Sequence, residues 1–413
     1  MLQEVFEERA QHALNSSPIG MAIKVTRMSG CSFLDLLSDV YMIVEYLTDD
    51  DTVDYGYILL GMVVTSVVIQ MAVVIVQYFA TPRKMLLELV AVILGVKPVV
   101  NAFRVCAGHA QGEHHPLDRR TEYSSSKVVE IFAESIPGCI LQMYVVFKGL
   151  ENGTTPSYAA IASLVVSALT TGLTSKNISF NFDTDSIKRS ETPGFYGYIP
   201  SSRRKRSAMQ KLMVMNSAIL LLLRSSSAAL LMLVNKSYYV IYIVGDIALN
   251  LVYKAVRRDF TYWIPLEGVM GFVFSLFIRI VIKVVTDHTG ILQFRASPDL
   301  GGLYWSVSML LAMSVSAVSV LIYYDDSRDV EAMAERTAWM LCGGLSGLWV
   351  VTFGCILWLM KKEYRKTFWS TESGNDYSMQ VSRVLSEARA QRERRFIANA
   401  QFSYRKANAC PYR

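Results

Sequence analysis

Glu130 and Glu134 stand inside the stretch 127–147, KVVEIFAESIPGCILQMYVVF, which is long and apolar enough to cross a bilayer. At i and i+4 the two carboxylates share a helix face. At membrane depth each would cost roughly 2.5–3.5 kcal/mol on insertion scales, so packing alone gives no reason for them. Pro137 and Gln142 follow in the same stretch. The segment FLDLLSDVYMIVEYL repeats the pattern, with Asp35 and Asp39 at i and i+4 and Glu45 and Tyr46 further on. A third polar stripe runs through Asp246, Asn250 and Lys254, and Arg224 stands directly before Ser225, Ser226 and Ser227, with Asn216 two turns earlier. Asp35, Asp39, Glu130, Glu134 and Asp246 outnumber the cations at comparable depth, among them Arg224 and Lys97. Such an acidic surplus must be protonated, hydrated or matched by a cation from a ligand. The chemistry is therefore that of a polar track across an apolar medium. The competing role for the same residues is buried ion pairing that fixes helix register.

The elements that would position these residues are helices. The chain has 413 residues, of which 52% are hydrophobic and 18% charged. With a mean hydropathy of +0.30 this excludes a disordered chain and points to an all-α polytopic membrane protein. Apolar runs predict ten helices: about 31–48, 56–80, 85–105, 124–149 and 156–178, then 208–234, 237–255, 262–286, 301–324 and 336–361. The connection 179–207 is basic, through Lys188, Arg189 and Arg203 to Arg206, whereas Asp49, Asp50, Asp51 and Asp54 make an early link acidic. If all ten helices crossed from a cytosolic N-terminus, that basic connection would face outward, against the positive-inside rule. One helix in each half is therefore expected to dip in and return: the third, with Glu88, Lys97 and Pro98, and the eighth, with Glu267, Arg279 and Lys283. The second and seventh satisfy the parity as well. The result is about eight spans plus two partly inserted helices in two five-helix repeats, residues 31–178 and 208–361. Residues 1–30 and the basic tail 362–413 are expected in the cytosol, in a protein of the plasma membrane.

Other motifs carry less. His109, Glu113, His114 and His115 in HAQGEHH miss the metallopeptidase spacing and read as a solvated loop, so no metal is expected. The six cysteines are widely spaced and read as reduced thiols. No phosphate loop, dinucleotide fingerprint or nucleophile elbow is present, so neither an enzyme nor a cofactor is expected. The net charge of +6 comes mostly from loops and tail and is read as orientation and contact with anionic lipid, not nucleic acid. Asn152 begins an NGT acceptor pattern, PGFYGYIP (193–200) suits either a membrane-surface segment or a loop covering the cytosolic face, and 381–400 has helical periodicity.

FLDLLSDVYMIVEYL, then LLELVAVILGVKPVV, then KVVEIFAESIPGCILQMY together resemble the XK-related family of phospholipid scramblases, and LLLLRSSSAALLMLV is similar to that family's apolar helix with a central arginine. The resemblance implies eight crossing helices with two entering halfway. It implies a hydrophilic track at Asp35, Asp39, Glu130, Glu134 and Arg224, and passive, ATP-independent movement of phospholipid head groups between leaflets. Gln142 and Asp246 are added to the track from the residues themselves. Gly138 stands where the family commonly has glutamine after the proline, and the tail offers Asp376 alone in place of a DxxD cleavage site. The partners implied are phospholipids and the membrane, with a partner subunit or a homo-oligomer left open. An ion- or proton-coupled solute transporter using the same carboxylates, or a structural subunit, are the alternative functions.

Overall fold

The computed structural model describes residues 18–79, 81–106, 119–184, 198–200, 202–256, 268–291, 302–326 and 332–360. Among these every regular element is a helix: α1 Pro18–Thr48, α2 Val53–Tyr78, α3 Pro82–Ile93, α4 Lys97–Cys106, α5 Arg119–Glu130, α6 Ile136–Glu151, α7 Tyr158–Thr184, α8 Arg203–Val234, α9 Lys236–Val256, α10 Gly268–Thr289, α11 Gly302–Asp326 and α12 Ala332–Leu359. HAQGEHH, the 381–400 segment and residues 1–17 lie outside the described residues.

Among the described residues six stretches are long and apolar enough to cross a membrane, namely α2, the continuous helix Tyr123–Glu151, α7, α8, α11 and α12. The third predicted helix is two helices. Gly95 takes a left-handed backbone (φ 68°) between α3 and α4, where a Cβ would stand 2.8 Å from the Leu36 side chain. Pro98 at the second position of α4 disfavours helical backbone at Lys97 before it, so the chain restarts there instead of continuing. The first helix begins at Pro18 and not near residue 31.

The core is built around α8, which touches α6, α7, α9, α10, α11 and α12. It is buried from Asn216 to Leu231 on nearly every side, as expected of a helix that is apolar all round. Its serines do not disturb this, since Ser226 and Ser227 donate to the Leu222 and Leu223 carbonyls of the preceding turn at 2.7 and 2.9 Å. Small residues allow close approach: a Cβ on Gly172 of α7 would lie 2.6 Å from the Val214 carbonyl oxygen of α8. Gly172→Val should therefore force α7 and α8 apart at a cost of about 1–3 kcal/mol. A lower melting temperature of the detergent-purified protein is the expected result, and an unchanged one would show that the contact yields freely.

α1 is apolar outside and polar inside. Phe33, Leu37, Val40, Tyr41 and Val44 are exposed, while Asp35, Asp39, Met42 and Tyr46 are buried. With α2 and α3 similarly coated by exposed Val64, Val68, Leu86, Leu87 and Val90, the apolar surface faces lipid and the protein is an integral membrane protein. The described end of PGFYGYIP is buried. Tyr198 and Ile199 donate their backbone N–H groups to the Asp183 carboxylate at 3.1 Å each and pack with Met209, Met213 and Trp349. That part of the connection is an ordered cover on the bundle, and the membrane-surface reading does not apply to it.

Candidate functional site: two buried charge clusters

The helix carrying Glu130 and Glu134 changes pitch between them. Residues Ile131–Ser135 form a π-helical turn in which the Ile136 N–H reaches back to the Ile131 carbonyl. Pro137, one residue further, has no N–H and its ring crowds the carbonyl four residues back, so a wider turn is the way the helix passes it without breaking. The bend expected at Pro137 is realised as this π turn. It sets Ser135 against Asp35 of α1, and its Phe132 meets Phe277 of α10 edge-on at 6.4 Å.

Around it sits the first cluster. Asp35 accepts hydrogen bonds from Ser167 of α7 at 2.8 Å and from Ser135 at 3.4 Å. Asp39, one turn along α1, shares a hydrogen bond with Glu134, which Ser66 of α2 also reaches. Glu130 is paired with Lys127 at 2.5 Å and lies within electrostatic reach of Asp35, Asp39 and Glu134. Asp35, Asp39 and Glu134 are 4%, 4% and 8% exposed, so these groups interact in surroundings that screen them weakly. Four carboxylates thus meet beside one ammonium. Gln142 lies two turns beyond Glu134, 1% exposed, and its Oε1 has no hydrogen-bond partner. Gly138 lies between them facing Leu59 of α2, where a Cβ would make an ordinary 3.6 Å contact.

Arg224 and Asp246 do not join this group. Arg224 reaches the Tyr242 hydroxyl of α9 at 2.5 Å, the Ser308 carbonyl of α11 at 3.5 Å and Asp287 of α10 at 4.0 Å. Lys283 donates to Asp246 at 2.7 Å, to Asp287, and to the Ser308 hydroxyl at 3.3 Å; that hydroxyl donates to Asp287 at 2.9 Å. Two cations face two carboxylates, so the second cluster is balanced. The expectation of one surface shared by Asp35, Asp39, Glu130, Glu134 and Arg224 is corrected to two clusters, because Arg224 projects from α8 toward α9, α10 and α11. Lys97 likewise belongs elsewhere, paired with Glu88 at 2.5 Å. Asn250 is buried below Asp246 on α9, and the side chain of Lys254 lies outside the described residues.

The sequence reading missed the serines, Ser66, Ser135 and Ser167, whose hydroxyls hold the acids. It also missed the pairings Lys127 with Glu130 and Lys283 with Asp287, although both are spaced as helix neighbours. Among the described residues no group of three or more histidine, cysteine or carboxylate side chains is arranged to hold a metal ion.

Residues 28–194 match the family described as XK-related protein. The match takes in both acidic helices and ends ahead of α8, so Arg224 and the balanced cluster lie beyond it. No curated protein and no solved structure matches the chain.

Proposed function

From the match of residues 28–194 to the XK-related family, we propose that the protein is a passive phospholipid scramblase whose head-group track is the acidic cluster. The observation that carries this reading is the meeting of Asp35, Asp39, Glu130 and Glu134 inside a lipid-facing bundle, four carboxyl groups beside one ammonium. A scaffold does not need that excess. A track that takes up hydrated or cationic head-group moieties does, while acyl tails stay against the exposed faces of α1 to α3. Three of the four carboxylates are closed off and Glu130 retains 15% side-chain exposure, so lipid transfer requires this bundle to open from the described conformation.

The break at Gly95 and the charged, buried end of α10 support the reading that the third and eighth helices are the partly inserted ones, with eight full spans around them and both termini in the cytosol. The balanced cluster serves in this reading as the anchor of α8, α9, α10 and α11.

The test is leaflet exchange. Purified protein in liposomes should render inner-leaflet fluorescent phospholipid accessible to an impermeant quencher without ATP. No exchange above protein-free vesicles, with the tail 362–413 intact or removed, would refute the proposal. Proton-driven solute uptake without lipid movement would favour a transporter instead.

A further inference from the structure

A third polar group lies outside both clusters, at the break between α3 and α4. There Lys97 and Arg104 converge on the Glu88 carboxylate, two cations on one anion, with Lys97 and Glu88 buried. Beside them a small, partly open pocket is lined by Lys97, Gln70, Gln77 and Ser126 together with valines. Its enclosed space is about 20 Å³, room for one water, so a larger occupant enters only as the surrounding helices move apart. Gln77 is 9% exposed and its Oε1 has no hydrogen-bond partner, so a buried acceptor on the pocket wall awaits a donor.

The pocket connects to the acidic cluster through hydrogen bonds that run in one direction. Ser126 donates to Gln70 Oε1 at 3.3 Å, Gln70 Nε2 donates to Ser66 at 3.3 Å, and Ser66 reaches Glu134. Ser66, Gln70 and Gln77 share the face of α2 that looks into the protein, at i, i+4 and i+11. On the opposite side α2 and α3 expose Val68, Ile75, Leu86, Val90 and Ile93. The file therefore has a basic end at Lys97 and Arg104, an acidic end at Asp39 and Glu134, and an apolar flank for hydrocarbon.

We propose that this pocket is an entry site for a zwitterionic phospholipid head group: the phosphate is taken by Lys97 in competition with Glu88, Gln77 receives a hydrogen bond from the hydrated head group, and the cationic end points along Gln70 and Ser66 toward Glu134. The apolar flank selects a lipid-borne phosphate over a free anion. This assignment rests on the scramblase reading.

The experiment uses the full chain in two arms. In phosphatidylcholine vesicles, Gln77→Leu should slow exchange about tenfold with an unchanged melting temperature, while Val350→Leu on the exposed face of α12 leaves the rate unaltered. In the second arm, Gln77→Cys should react with an anionic thiol reagent faster than with a cationic one, above the background of the unsubstituted protein. Phosphatidylcholine vesicles should protect it where inorganic phosphate in detergent does not. Wild-type exchange by Gln77→Leu, an unreactive thiol, or equal protection by inorganic phosphate would overturn the site. Absence of exchange by the unsubstituted protein would instead sink the scramblase reading, and the thiol arm would still decide whether lipid occupies the pocket.

Discussion

Lys283→Met is expected to abolish most of the folded protein recovered in detergent. Lys283 holds Asp246 on α9 and Asp287 on its own helix and donates to Ser308 on α11. Its side chain is 1% exposed and that of Asp287 3%. Methionine matches the stem in length and loses only the charge, which leaves two carboxylates facing Arg224 in a medium where water cannot replace the missing ammonium. Removing one partner of a buried ion pair typically costs about 3–5 kcal/mol, a large share of the roughly 5–15 kcal/mol that holds a typical domain folded. The measurements are the monodisperse fraction on size exclusion and the melting temperature. The double change Lys283→Met with Asp287→Leu should regain much of the loss, because it removes an anion together with its cation. A single variant that folds and melts like the unsubstituted protein would show that the balanced cluster does not anchor α8 to α11.

The division of the polar residues into two clusters was legible in the sequence only in part. Asp35 with Asp39 and Glu130 with Glu134 were readable because a four-residue spacing in an apolar run fixes a shared face whatever surrounds it. Nothing in that spacing says which helix lies opposite. Arg224 was grouped with the first-half acids because it was the evident cation at mid-helix. The structure turns it toward Asp287, a residue near the end of a helix that was expected to be a partial insertion. The serines around Asp35 were invisible for a related reason: Ser135 lies 100 residues and Ser167 132 residues away along the chain, and a serine in a membrane helix is more often bonded to its own backbone, as Ser226 and Ser227 are.

The fold followed a similar pattern. The predicted cores of the ten helices correspond to helices in the described residues, since apolar length is a strong local signal. Where a boundary moved or a helix split, the cause was backbone chemistry that hydropathy averages away. A left-handed glycine divides the third helix although its apolar run continues through Leu94 and Val96. A π turn passes Pro137 although the helical pattern is uninterrupted. Both departures sit next to charged groups, Lys97 in one case and Glu134 in the other.

Asp39→Asn and Glu134→Gln are expected to act in the opposite sense to Lys283→Met, lowering leaflet exchange while leaving the fold intact or firmer. Asp39, Glu134, Asp35 and Glu130 crowd four carboxylates near the single ammonium of Lys127. Neutralising one of them removes like-charge repulsion in a weakly screened interior, and the amide preserves the hydrogen bond between Asp39 and Glu134. The melting temperature should therefore hold or rise. Exchange should fall by about tenfold or more, equivalent to about 1.4 kcal/mol on the barrier, because the track loses an acceptor for the cationic part of the head group where the file from Ser66 meets it. A residue that stabilises when removed yet is needed for activity is the signature of a site held against the preference of the fold. Asp39→Asn and Glu134→Gln measured together should show less than additive loss, since both carboxylates act on the same passing group. If either variant instead lowers the melting temperature and exchanges lipid at the unsubstituted rate, the acidic cluster is scaffold, and the head group crosses by another surface.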